Sequence, residues 1–238
     1  VNTIVGYLDS RTAEHFLRNN RPAKIVTAFN VYAHADDLKG MTQAIKTVLA
    51  DDSLFVFEVS YLLDVIQKML IGTIFHEHLS YHSVISMERF LNSLDLHLIH
   101  TERADEQGGS LIGYVQHKGG PFHQSNSVIN FINREKQAGL DDLETIENLQ
   151  ANLDSMKNKI NEFFKNIKHK NKTIGAYGAA RSGTTLLCFF ELGSIIDFIV
   201  GLVLLPLNSL FISASDNLLS LGSAFLGRRI DSTGFSTG

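Results

Sequence analysis

Lys24-Ile25-Val26-Thr27-Ala28-Phe29-Asn30 is the stretch on which the fold turns. An unbroken run of apolar and β-branched residues, set off by Pro22 before it and polar Asn30 after it, is the pattern of a strand buried on both faces, as in parallel sheets. Beyond Val31, Tyr32, Ala33 and His34, the pair Asp36-Asp37 caps a helix expected to run through Leu49, with Leu38, Met41, Ile45 and Leu49 at helical spacing. Ser53-Leu54-Phe55-Val56-Phe57-Glu58-Val59 is then a second central strand. Strand, helix and strand in this order make a right-handed βαβ crossover. Ligands of open α/β sheets sit at the carboxyl ends of the strands, where Asn30 and Glu58 stand. The plainer alternative for either residue is that it satisfies loop backbone groups.

Toward the amino end, Ile4, Val5, Tyr7 and Leu8 form a short apolar run, and Asp9-Ser10 caps a helix over Thr12–Arg18. In the other direction, Tyr61 to Met69 reads as a helix, and Ser86 as the cap of another passing through Phe90 and Leu94. Leu96–Arg103 and Leu111–Gln116 are strands joined through Gly108-Gly109-Ser110, which predicts an antiparallel hairpin at the edge of the sheet. From Val128 to Lys170 apolar residues recur every three or four positions among charges, an amphipathic helical connector. The expected domains are 1–122, the connector 123–170, and a small α/β domain at 171–238. Ala214–Gly238 is rich in Ser, Gly and Leu without a periodic pattern, and the tail 201–238 is expected to be aberrant or partly disordered.

Composition narrows the classes of function. The 238 residues are 44% hydrophobic and carry a formal net charge of -4, so there is a core to build and no basic field for nucleic acid. The lone Cys188 excludes an internal disulfide and a four-cysteine zinc site, and suits a reducing cytoplasm. Ile195–Ser213 is strongly apolar but is interrupted by Asp197 and Pro206 and sits at the lower edge of spanning length, so no membrane span is expected. No feature sets an oligomeric state.

The densest chemistry lies in Ile74-Phe75-His76-Glu77-His78-Leu79-Ser80-Tyr81-His82. His76, His78 and His82 are metal-ligand types. The zinc-protease pattern fails, because Ser80 stands where its second histidine is required. Glu77 and His78 suit general acid–base work on a carbon-bound proton. A solvated loop is the third reading. A second concentration, Thr173-Ile174-Gly175-Ala176-Tyr177-Gly178-Ala179-Ala180-Arg181-Ser182-Gly183-Thr184, runs from a strand through a glycine turn into a helix, the arrangement that faces backbone amides to a phosphate. It has neither the G-x-G-x-x-G order nor the lysine of a nucleotide-triphosphatase loop, whose place Thr184 takes. Two alternatives to an acid–base enzyme therefore stand at this point: a metal-dependent enzyme using His76, His78 and His82, and a non-catalytic nucleotide-binding module.

Five blocks in order, Ala28–His34, Phe57–Leu62, Ile74–Ser83, Gly108–Ser110 and Ile174–Leu187, resemble the S-adenosylmethionine (SAM)-dependent C-methyltransferases that act on nucleotide-linked deoxysugars. The resemblance implies a zinc-binding amino-terminal domain, a Rossmann-like SAM domain, and a second Rossmann-like domain that helps hold the nucleotide sugar. On this reading the chain begins within the SAM domain. Its zinc domain, glycine-rich SAM loop and ribose-gripping acid fall before Val1, and the stretch is expected to bind SAM poorly and to be inactive alone. The family continues after Val200 with an aspartate and an Asn-Pro turn, where Gly201-Leu202-Val203 stands here, as a shifted reading frame would leave it. The resemblance assigns proton abstraction beside a 4-keto group to His78, its orientation to Glu77, and support of the enolate to His34. Asn30 and Ala28 would contact SAM, and Tyr81, Gly178, Ala179 and Arg181 the substrate. It implies no metal among these residues. The family's tyrosine at the position of Phe75 is absent.

Overall fold

A computed structural model describes residues 3–178 and 181–201, in two units, Val1–Gln150 and Ala151–Gly238. Ala179 and the tail beyond 201 lie outside the described residues. The first unit is a mixed α/β layer built on four strands: β1 (Ala23–Phe29), β2 (Leu49–Ser60), β3 (Leu96–Ala104) and β4 (Ser110–His117), in the spatial order β1-β2-β4-β3. β1 and β2 run parallel, joined by helix α2 (Leu38–Val48), and β4 runs antiparallel to both β2 and β3. The parallel pair with a reversed hairpin at its edge is the layout expected from the sequence.

Helix α1 (Ser10–Asn19) starts where Asp9 accepts a hydrogen bond from the Thr12 amide at 2.8 Å, and α2 where Asp37 accepts from Gly40 at 2.8 Å. Each satisfies an amide that a helix start leaves unpaired. Tyr32, at the centre of the core, lies 5.5 Å from the ring of Phe55 and 5.6 Å from that of Phe57, with Ile45, Leu63, Met87, Leu91 and Leu98 around them. Burying side chains of this size contributes roughly 1.5–3 kcal/mol each.

Several expectations are corrected. β1 is not buried on both faces: Val26 and Ala28 turn inward while Ile25 is 65% and Phe29 49% exposed. β2 is its one strand partner among the described residues, so the period-two alternation of an edge strand replaces the two-sided burial of a central one. The run Ile4–Leu8 forms no strand, and Val5 and Tyr7 are solvated. α2 stops at Val48 because Leu49 already belongs to β2. Helix α3 is shorter than expected, Leu62–Gln67. Helix α4 (Val84–Asn92) is capped by Ser83, with Ser86 as the reciprocal partner of a capping box rather than the cap itself. The 128–170 pattern is two helices, α5 (Asn126–Gln137) and α6 (Leu143–His169), broken at Gly139, whose φ of +69° ends α5 in a left-handed turn.

α4 and α5 are tied by a group that no local pattern announces. The carboxylate of fully buried Glu135 accepts from the amides of Val84 at 2.7 Å and Ile85 at 2.9 Å. It neutralises the positive end of α4. Burial pushes its pKa up, and the two amides pull it back.

In the second unit, β5 (Gly175–Tyr177), helix α7 (Arg181–Phe189) and β6 (Phe198–Val200) form a small parallel βαβ element. Asp197, which interrupts the apolar run, accepts from the Ile174 amide at 2.7 Å and pairs with Lys168 on α6. The amide first, and then the lysine, holds its carboxyl below the usual range. No helix among the described residues is long and apolar enough to cross a membrane.

Candidate active site

At the carboxyl end of β1, Asn30 adopts a left-handed backbone (φ +54°) and its amide donates to the Glu58 carbonyl on β2 at 3.1 Å. The chain then turns through Tyr32–His34, burying Tyr32 and Ala33 and leaving His34 half-exposed. The histidine-rich loop arrives from α3 by way of a 3-10 turn at Ile71–Thr73 and is fastened to this corner by the Leu79 amide, which donates to the Ala33 carbonyl at 2.9 Å. The fastening brings His78 against His34, ring centroids 4.9 Å apart and edge-on, and against Phe75 at 4.3 Å. Tyr81 stands 6.2 Å from the His78 ring and donates its hydroxyl to the Thr73 carbonyl at 3.2 Å.

His78 Nδ1 is buried without a hydrogen-bond partner. Burial pushes the pKa of the ring below the ordinary imidazole value; the Thr73 backbone opposes the shift, His34 adds to it, and Glu77 opposes it. A ring so placed is neutral at pH 7, the form that accepts a proton. The carboxylate of Glu77 lies 3.9 Å from His76 Nε2, and it acts on His78 electrostatically.

The three histidines of the loop do not converge. His76 is exposed beside Glu77, while His82 is buried beneath Tyr32, its Nε2 hydrogen-bonded to the Ser80 hydroxyl at 2.9 Å. Among the described residues no three His, Cys, Asp or Glu side chains are grouped to hold a metal ion, so the metal-dependent alternative finds no support in this arrangement.

His82 carries a pH signature of its own. Burial lowers its pKa from 6.5 to about 4. The stability that the neutral ring contributes is fully present above 6.5 and is lost as pH falls through about 4. A shift of this size corresponds to about 3 kcal/mol. In urea unfolding at pH 7 and pH 4, His82→Gln, which cannot titrate, is expected to lose less stability on acidification than the unsubstituted protein by that amount. Equal losses would place the acid sensitivity elsewhere.

The hairpin between β3 and β4 closes the same end of the sheet, because Ser60 at the end of β2 pairs with Ser110 at the start of β4. Its turn is pinned from below. Asp64 on α3, almost wholly buried, receives the Arg103 guanidinium at 2.5 Å and Lys68 at 3.3 Å, and Lys68 also donates to the Gly108 carbonyl at 2.5 Å. The glycine pair is required here. Gly108 and Gly109 have φ of +90° and +150°, and a Cβ on Gly109 would stand 2.6 Å from Asp64 Cγ. Asp64, Arg103 and Gln107 escaped sequence reading, although the Gly-Gly pair marked the place where they meet.

Of the residues singled out by sequence, His34, His78 and Tyr81 are brought together, with Glu77 in the same loop, and Asn30 lies four positions before His34 at the strand end. Ala28 turns its side chain into the core. Gly178 belongs to the second unit. It has φ of +99° and donates to the Val200 carbonyl at 2.7 Å, and open space lies where its Cβ would be. Arg181 opens α7, and Ala179 lies outside the described residues.

Residues 105–203, from the hairpin turn through the second unit, match the family described as the C-methyltransferase C-terminal domain. The chain is similar to the C-methyltransferase NovU of Streptomyces niveus, 26% identical over 193 residues that make up 81% of this chain. Those residues span 46% of that relative's length. Among solved structures, magnesium protoporphyrin IX methyltransferase from Synechocystis PCC 6803 with bound SAH overlaps 40% of this chain and 45% of its own at 13% identity and a TM-score of 0.31. M1.HpyAVI overlaps 48% of this chain and 54% of its own at 9% identity and a TM-score of 0.32. The histidine-rich loop, residues 74–82, lies outside the stretch that matches that family.

Proposed function

We propose that this chain carries the acid–base site of a SAM-dependent C-methyltransferase acting on a nucleotide-linked keto-deoxysugar, with His78 as the base. The observation that carries the reading is the placement of His78. It is held neutral by burial, packed on Phe75 and His34, and fastened at the carboxyl end of the parallel strand pair. A carbonyl next to the reacting carbon acidifies its hydrogen. His78 takes that proton, His34 hydrogen-bonds the oxygen on which negative charge develops, and Glu77 steadies the imidazolium that forms. The electron pair left on carbon is the nucleophile. Bound SAM supplies an electrophilic methyl on positive sulfur. The groups at the strand ends suit a cationic partner: Asn30 is neutral, Glu58 and Glu77 are acidic, and the nearby cations Lys68 and Arg103 are engaged by Asp64. Holding the two reactants side by side removes on the order of several kcal/mol from the barrier.

Proton abstraction can be tested without methyl transfer. In D2O, the chain is expected to accelerate exchange of the hydrogen next to the carbonyl of a nucleotide-linked 4-keto-6-deoxysugar, read by proton NMR. Exchange at the buffer rate would remove the basis of this reading.

A further inference from the structure

We propose that Glu135 is a positioning residue for His78: its carboxylate fixes the point at which the histidine-rich loop passes into α4. The inference rests on the reading of His78 as the base. Residues 74–82 are held at both ends and in the middle. The 3-10 turn at Ile71–Thr73 sets the entry, the Leu79 amide on the Ala33 carbonyl sets the middle, and the His82 carbonyl, which accepts from the Leu62 amide at 3.0 Å, begins the exit. The chain then coils at once into α4, whose first amides lack partners within the helix. Ser86 finds one locally in the Ser83 hydroxyl at 3.1 Å. Val84 and Ile85 donate instead to Glu135, one to each carboxylate oxygen.

A carboxylate serves both amides because it accepts on both oxygens, whereas an amide side chain would turn an NH2 group against one of them. Tyr61 ties the same group to the loop. It is bridged to His82 and fully buried, and its phenol lies beside the carboxylate, whose charge adds to burial in raising the phenol's pKa. The charge of Glu135 does not favour folding where it lies. The groups that lower its pKa are amides and hydroxyls, with no cation among them, and burial outweighs them. A pKa raised on folding means that stability falls as pH rises through the folded value, so the ionised form costs stability. What the carboxylate supplies is geometry: a base on a loop keeps its place when hydrogen bonds from rigid elements lock that loop.

The test is a proton NMR titration of the histidine Cε1–H signals in the full chain, in Glu135→Gln and in Val84→Pro. The latter breaks the tie from the other side: proline suits the first position of a helix, and the extended backbone of Ser83 before it (ψ 162°) accepts one. In the unsubstituted chain His78 is expected to titrate below the ordinary imidazole value. In both variants its midpoint should rise toward that value, because a loop released at its exit admits water to the ring. The His100 signal should stay in place, since Ser125 and Ser127 hold that ring at the start of α5 and so report that α5 remains docked. Exchange of the keto-sugar hydrogen should slow about a hundredfold, with its rising limb moved to higher pH. A His78 midpoint that is unchanged in a variant whose His100 signal is native overturns the proposal. Exchange at the buffer rate in the unsubstituted chain overturns the reading of His78 as the base, and leaves the His78 midpoint to judge Glu135.

Discussion

Replacing His78 by alanine is expected to slow solvent exchange of the keto-sugar hydrogen by 10²–10⁴-fold, the usual contribution of a positioned general base. This corresponds to roughly 3–5 kcal/mol of barrier. The fold should survive, since the ring is half-exposed, its Nδ1 has no hydrogen-bond partner, and its neighbour Tyr81 is held by the Thr73 carbonyl. Unchanged far-UV circular dichroism alongside lost exchange would separate chemistry from folding. The pH profile adds a second readout. Burial chiefly, and His34 in addition, lower the His78 pKa, so exchange in the unsubstituted chain should rise with pH and level off below the ordinary imidazole range. His34→Ala removes one of these causes, and the rising limb should move to higher pH. A limb that stays in place would mean that His34 does not act on His78, and retained exchange in His78→Ala would exclude it as the base.

Gly109→Ala is expected to be severely damaging to the first unit. The new Cβ would collide with the side chain of Asp64, whose buried carboxylate is the partner of Arg103, and the φ of +150° would be strained for any residue but glycine. Neither group can give way cheaply. Displacing Asp64 uncouples a buried charge from its guanidinium, which typically costs about 3–5 kcal/mol. Urea unfolding should show a loss of this size, while Gly119→Ala, with open space around its Cβ, should lose only the smaller cost of a left-handed backbone. Comparable losses at the two positions would show that the Asp64–Arg103 pair yields without penalty.

Local patterning was enough to read much of the first unit. The Asp9 and Asp37 caps and the Gly108-Gly109 turn each act over a few residues, so the local sequence announces them. Errors arose where a partner distant in sequence decides. Ile25 and Phe29 look like two-sided core residues because apolar runs do not encode how many strands flank them. The apolar period carried straight through Gly139, where a single left-handed residue ends α5.

The same division runs through the candidate site. Residue order alone sets which chemistry is on offer: a loop with His78, Glu77 and Tyr81, a polar Asn30 at a strand end, and an α/β order that brings strand ends to one side. Which of these groups meet depends on how the chain packs. His34 reaches His78 through the Leu79–Ala33 backbone bond, His82 is withdrawn into the core, and Glu135 and Asp64 pair across 51 and 39 positions of sequence. The physical reason is that a side chain's charge state and reach depend on its surroundings in space. Those surroundings come from burial and from hydrogen bonds between elements that no local period relates.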